Sequence, residues 1–234
     1  MFESPPVFTV PVAGDAPFPV RRIYCVGRNY RAHALEMGAD PDREEPFFFM
    51  KPADAIIASG SAIAYPPRTS DYQHEIELVV AIGKAGHDVS VEDADALVYG
   101  YAVGLDMTRR DLQLAARKAG RPWDMGKGFY QSAPCGEIRC KTEAGSLAHA
   151  AIRLTVNDKV RQASDLSLLI WSVPELIAEL TSYGELLPGD LIYTGTPEGR
   201  RPSRPRRPSG RDDRGSCRPR PRHSPLSRWM RTLT

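Results

Sequence analysis

The chain has no C-x-x-C pair, and its four cysteines (Cys25, Cys135, Cys140, Cys217) have no histidine at zinc-module spacing. That excludes a zinc finger and a thioredoxin-type redox motif, and the cysteines read as reduced thiols of a cytoplasmic protein. No apolar run approaches the roughly 20 residues of a membrane span. The first twenty residues, with Glu3, Asp15 and five prolines, lack the apolar core of a signal peptide. There is no internal repeat and no glycine-rich phosphate loop, which excludes solenoids and P-loop nucleotide enzymes. A regular alternation of strands with long helices is also missing. Short strands mixed with short helices predict an α+β fold rather than a doubly wound sheet.

A chain of 234 residues can bury one large core. Its net charge of +2 conceals a split. Residues 200–234 hold twelve Arg, no Lys, two Asp and no Glu, a charge of +10, which leaves −8 for residues 1–199. Three segments are expected: an N-terminal arm over 1–20, a main folded domain over 21–199 and an Arg/Pro-rich disordered tail over 200–234.

Within the middle segment, "RRIYCVGRNY" predicts a strand from Arg22 broken at Gly27, and "RAHALEMG" a short helix. "EEPFFFMKPADAIIASG" is an aromatic β segment closed at Lys51-Pro52. "TRRDLQLAARKAG" predicts a helix capped by Thr108 and ended by Gly120, and "SVPELIAELTSYG" a second helix from Ser172 to Gly184. "AIRLTVNDKVRQ" predicts a hairpin turning at Asn157-Asp158.

The stretch "DYQHEIELVVAIGK" carries the first chemical signal. Ile76, Leu78, Val80 and Ile82 share one face of a strand, and Glu75 and Glu77 precede Val79 and Ala81 on the other. Alternation of this kind commonly marks a strand with one wet face. Here the polar face turns apolar directly after Glu77. Two sheltered carboxylates about 7 Å apart raise each other's pKa, and a hard divalent cation removes that conflict. Asp106, at the end of the apolar strand "YGYAVGLD", offers a third carboxylate, or else supports the following helix. Lys127 lies between Gly126 and Gly128, where backbone can approach a ligand, although a lone Lys is commonly a solvated one. His33 and Glu36, at i and i+3 on a helix, form either a general-base dyad or a surface pair.

The order of "YCVGRNYRAHALEMG", "EPFFFMKPADAI", "HEIELVVAIGK", "GYAVGLDMTRRDLQ", "PWDMGKGFYQSAP" and "GDLIYTGTPEG" resembles the fumarylacetoacetate hydrolase superfamily over roughly residues 20–199. The resemblance implies a mixed β-sandwich roll with short flanking helices, a homodimer, and a divalent cation: Mg²⁺, or else Mn²⁺ or Ca²⁺. It implies Glu75, Glu77 and Asp106 as metal ligands, His33 and Glu36 as a water-activating dyad, and Lys127 as a catalytic cation. Arg110, Gln113 and Thr196 match positions that face substrate. The implied activity is hydrolysis of a C–C bond in a small 2,4-dioxo acid, first among them fumarylpyruvate, to fumarate and pyruvate in gentisate catabolism. Acylpyruvate hydrolysis and oxaloacetate decarboxylation are the family's alternatives. A distal carboxylate on the substrate requires a cation, with Arg28, Arg31 and Arg110 as candidates. Neither a specific nucleic-acid partner nor a membrane is expected.

After "GTPEG" the chain departs from the pattern. The family continues into a turn and closing strands, whereas residues 200–234 contain six prolines and no Val, Ile or Tyr, a composition poorly suited to a sheet. One codon spelling of Arg206–Arg211, CGG-CGA-CCG-TCT-GGA-AGG, gives Gly-Asp-Arg-Leu-Glu when read from its second base, so a shifted reading frame is one account of the tail. A basic nucleic-acid-binding tail and a non-catalytic copy are the readings from other classes.

Overall fold

The computed structural model describes residues 6–36, 44–199 and 223–225. Its centre is a mixed, curled sheet. In spatial order the strands are Phe47–Lys51, Arg22–Gly27, Asp190–Tyr193, Ile76–Ile82, Val98–Leu105, Ala133–Cys135 and Ile56–Ala58, with Arg139–Cys140 also pairing on Val98–Leu105. Asp190–Tyr193 runs parallel to Arg22–Gly27 and antiparallel to Ile76–Ile82. A strand that pairs on both edges and is buried on both faces is expected to be largely apolar. Ile76–Ile82 is buried throughout, and Glu77 is its one polar residue.

Its period of two distributes side chains to two cores. Ile76, Leu78, Val80 and Ile82 pack with Ile152, Leu154, Leu176 and Leu180 on one side. Val79 and Ala81 pack on the other with Ile23, Cys25, Leu191 and Tyr193. Each fully buried Val, Leu or Ile contributes about 1.5–3 kcal/mol, so this strand anchors both halves. The N-terminal segment closes the second core. Thr9–Val12 and Asp15–Pro19 form a hairpin whose Val10, Val12 and Phe18 enter it.

The first core is covered by the hairpin Ala151–Val156 with Lys159–Asp165 and by the helix Val173–Tyr183. The hairpin turns at Asn157 and Asp158, both at positive φ (51° and 60°), as the two-residue turn requires. The helix is capped at Ser172 as expected, through a capping box with Glu175. The cap expected at Thr108 is not formed. Thr108–Arg109 pairs instead with Tyr72–Gln73, and the helix begins at Arg110. That pairing turns the Thr108 hydroxyl inward, where it donates to the Asp106 carbonyl at 3.2 Å.

Cys25, Cys135 and Cys140 are free thiols; Cys217 lies outside the described residues. Within the tail, His223–Pro225 pairs antiparallel with Ala62–Ala64, so for that tripeptide the expectation that the tail adds nothing to a sheet does not hold. The rest of the tail lies outside the described residues. No helix among the described residues is long and apolar enough to cross a membrane.

Candidate metal centre and active site

The sheet register brings the three carboxylates together. Ile76 stands opposite Leu105 and Glu77 opposite Gly104. One step beyond, the Asp106 amide donates to the Glu75 carbonyl at 2.8 Å. Glu75, Glu77 and Asp106 thus share one corner, where each offers an oxygen within 4.8 Å of the others' and all three are buried. Moving one ionised carboxylate out of water costs several kcal/mol, and three at this spacing repel one another. The site needs compensating positive charge.

Three cations come from the chain. Lys127 ends the short helix Asp124–Lys127; its ammonium donates to Glu75 Oε2 at 2.6 Å and to Asp106 Oδ2. Burial alone would depress Lys127, but Asp106 and Glu75 outweigh it and hold the ammonium above its ordinary range. Arg110 donates to Glu75 Oε1 and Gln113 Oε1, and through Nε to Gln73 Oε1 at 3.0 Å. The third cation, Lys51, was not anticipated from the sequence. Only 1% exposed, it donates to the Lys127 carbonyl, to Ser132 Oγ at 3.1 Å and to the Met107 carbonyl at 3.3 Å. It also stands 2.8 Å from Asp106 Oδ1. That oxygen nevertheless has no partner aligned as a hydrogen bond.

A buried carboxylate oxygen without an aligned donor, beside two more carboxylates, fits a hard divalent cation. Glu77 fits it too. Burial first, and then Asp106 and Glu75, push its carboxyl well above the ordinary 4.5. One of its oxygens accepts the Gly195 amide at 2.9 Å. Gly195 reaches that position at φ 98°, and a Cβ there would lie 2.7 Å from Asn29 Cβ, so the loop "TGTP" depends on this glycine.

The sign of the Glu77 shift gives a prediction. A carboxyl raised in the folded state holds a proton that the unfolded chain has released, so its stabilising contribution is present below about pH 4.5 and is lost as pH rises through the raised value. In the presence of a chelator, stability is expected to fall as pH rises above about 4.5, more steeply in the native sequence than in Glu77→Gln. Added divalent cation should flatten the native profile. Chemical denaturation across that range measures it, and parallel profiles for the two proteins would contradict the assignment.

The remaining site residues converge on one cavity. His33, on the helix Arg31–Glu36, is 6% exposed and lines it together with the three carboxylates, Lys127, Arg110, Gln113 and Thr196. Glu36 closes that helix, but its side chain lies outside the described residues. The Gly126 expectation changes in kind. A Cβ at Gly126 would meet the Gln113 backbone nitrogen at 2.9 Å, so this glycine lets the Lys127 helix press on the Gln113 helix rather than admit a ligand. Thr196 is held by a second residue the sequence did not single out. Gln162, 1% exposed, donates to Thr196 Oγ1 at 2.9 Å and to the Pro197 carbonyl at 2.8 Å, and it accepts the Ile76 amide at 3.0 Å.

Arg28 and two aromatic residues, Phe49 and Trp123, line the same cavity. Arg28 sits at φ 60°, a left-handed conformation that costs a non-glycine residue about 1–2 kcal/mol.

Comparison with known proteins gives a consistent result. The family model for the fumarylacetoacetate (FAA) hydrolase C-terminal matches residues 22–220. A fumarylpyruvate hydrolase from a Ralstonia species is 52% identical over 165 residues, 70% of this chain and 85% of that protein. The mitochondrial oxaloacetate decarboxylase of Dictyostelium discoideum is 38% identical over 186 residues, 79% of this chain and 85% of its own length. The crystal structure of fumarylpyruvate hydrolase from Pseudomonas aeruginosa in complex with Mn²⁺ and pyruvate superposes with a TM-score of 0.84 at 53% identity, covering 87% of this chain and 90% of that one.

Proposed function

From the premise that this chain belongs to the fumarylacetoacetate hydrolase family, we propose that it hydrolyses the C–C bond of a 2,4-dioxo acid, with fumarylpyruvate as substrate and fumarate and pyruvate as products. The observation that carries the reading is the carboxylate triad sharing one cavity with Lys127 and a buried His33. Glu75, Glu77 and Asp106 would hold a divalent ion, Mg²⁺ in the cell. When bound, such an ion supplies Lewis-acid stabilisation of developing negative charge.

The protein's own groups account for the rest. His33 takes a proton from water, and the hydroxide attacks the 4-oxo carbon. The C3–C4 bond breaks and the pyruvate half leaves as its enolate. Lys127 provides a fixed ammonium for that charge in a water-poor site, where such a group acts without reorganisation. Arg110, Gln113 and Thr196 orient the substrate, and Gln162 holds the Thr196 hydroxyl in place. The setting is a cytoplasmic homodimer serving gentisate catabolism.

A second reading, oxaloacetate decarboxylation, is favoured by the Dictyostelium relative. The two differ in their need for water. The purified protein with added Mg²⁺ or Mn²⁺, given fumarylpyruvate, a simple acylpyruvate and oxaloacetate in parallel, is expected to cleave fumarylpyruvate with the highest kcat/KM. Faster release of CO₂ from oxaloacetate would establish the second reading, and no turnover of any of the three would reject both.

A further inference from the structure

We propose that Arg28 is the specificity residue that receives the far carboxylate of the substrate and so makes the enzyme prefer a dicarboxylic 2,4-dioxo acid. The assignment rests on the hydrolase reading above. Such a substrate is anionic at both ends. Its oxo-acid end is directed to the carboxylate triad and Lys127, so its other carboxylate needs a cation of its own, because an unpaired charge in a sheltered cavity is strongly disfavoured.

The three candidate arginines are not equivalent. Arg110 has its Nε and both terminal nitrogens committed to Gln73, Gln113 and Glu75. Arg31 is exposed and does not line the cavity. Arg28 does line it. Its Nε is buried without a hydrogen-bond partner among the described residues. Its Nη1 lies 3.8 Å from Glu44, an exposed residue whose side chain is 66% accessible, too loose an ion pair to occupy the fork. A guanidinium with this freedom is suited to bidentate capture of a carboxylate.

The backbone supports the same role. Arg28 occupies a left-handed conformation at φ 60° that glycine would adopt more readily, and non-glycine residues held so are concentrated at ligand sites. The position is fixed by its successor. Asn29 donates to the Trp171 and Thr194 carbonyls at 2.9 and 2.8 Å and accepts the Trp171 amide at 2.7 Å. Phe49 and Trp123 line the cavity beside Arg28 and offer an apolar wall to the carbon chain between the two charged ends.

The test compares kcat/KM for fumarylpyruvate with that for 2,4-dioxopentanoate, which has no far carboxylate, in the native sequence, Arg28→Lys and Arg28→Gly, with melting temperatures for all three. Loss of a charge-assisted hydrogen-bond pair predicts that Arg28→Gly lowers the ratio of the two values by about 30-fold or more, chiefly through KM for fumarylpyruvate. Arg28→Lys should lower it by less. Arg28→Gly should melt no lower than the native protein, because glycine suits the backbone there. An equal loss on both substrates, or a marked drop in melting temperature with the ratio unchanged, overturns the assignment. A native enzyme that cleaves 2,4-dioxopentanoate but discriminates against fumarylpyruvate overturns it while leaving the hydrolase reading intact. A native enzyme that cleaves neither rejects both.

Discussion

Replacing Asp106 by Asn should abolish turnover and weaken divalent-cation binding by at least about 100-fold, the upper end of what loss of a merely supporting residue costs a metal site. Asn keeps the shape of the side chain and removes its charge. The effect therefore reports on the electrostatics of the corner rather than on packing. Asp106 is 1% exposed and is approached by two lysines, Lys127 at Oδ2 and Lys51 at Oδ1. Removing it deprives both ammonium groups of their shared counter-charge, and breaking a buried pair in this way destabilises by about 3–5 kcal/mol. The variant should thus unfold at lower denaturant as well as fail to bind Mg²⁺ or Mn²⁺. Glu75→Gln should behave alike, since Glu75 joins Lys127 to Arg110. Calorimetric titration that found unchanged cation affinity in both variants would remove Glu75 and Asp106 from the metal centre.

The carboxylate cluster was legible in the sequence where its information is local. Period-two alternation placed Glu75 and Glu77 on one face of the strand, and the apolar Val79 and Ala81 after them indicated shelter. Asn157-Asp158 marked the hairpin and Ser172 the capped helix. What escaped depends on pairings distant in the chain. Lys51 ends an aromatic strand and looks like a residue that leads the chain back to water. It is buried because the antiparallel register sets it opposite Ile23, beneath the corner that Asp106 and Lys127 build. Gln162 lies between Arg161 and Ala163 on a hairpin strand, where a polar side chain is expected to face solvent; the loop holding Thr196 and Pro197 covers it. Thr108 has the composition of a helix cap, but pairing with Gln73 takes precedence over the cap. In each case local propensity is overridden by partners 28 or more residues away in sequence.

The second large effect is expected at His33. His33→Ala should lower kcat for fumarylpyruvate by about 10²–10⁴-fold, the usual contribution of a general base, while the affinity for divalent cation is retained. The reason lies in the division of the cavity. The carboxylates proposed to hold the cation sit at one sheet corner, Glu77 within Ile76–Ile82, Glu75 just before that strand and Asp106 just after Val98–Leu105, and they are braced by Lys51, Lys127 and Arg110. His33 comes from the separate helix Arg31–Glu36 and lines the cavity from there. A histidine so placed can be removed without unbinding the ion, so a loss of both activity and cation affinity would show that its role is structural. A fall of less than tenfold in kcat would reject it as the base. Oxaloacetate makes the variant more informative still. Decarboxylation breaks a C–C bond without an attacking water, so any activity of the native protein on oxaloacetate should persist in His33→Ala when hydrolysis of fumarylpyruvate does not. If both reactions fall by the same factor, His33 acts on a step they share, such as binding of the common oxo-acid end, and water activation must be assigned to another group.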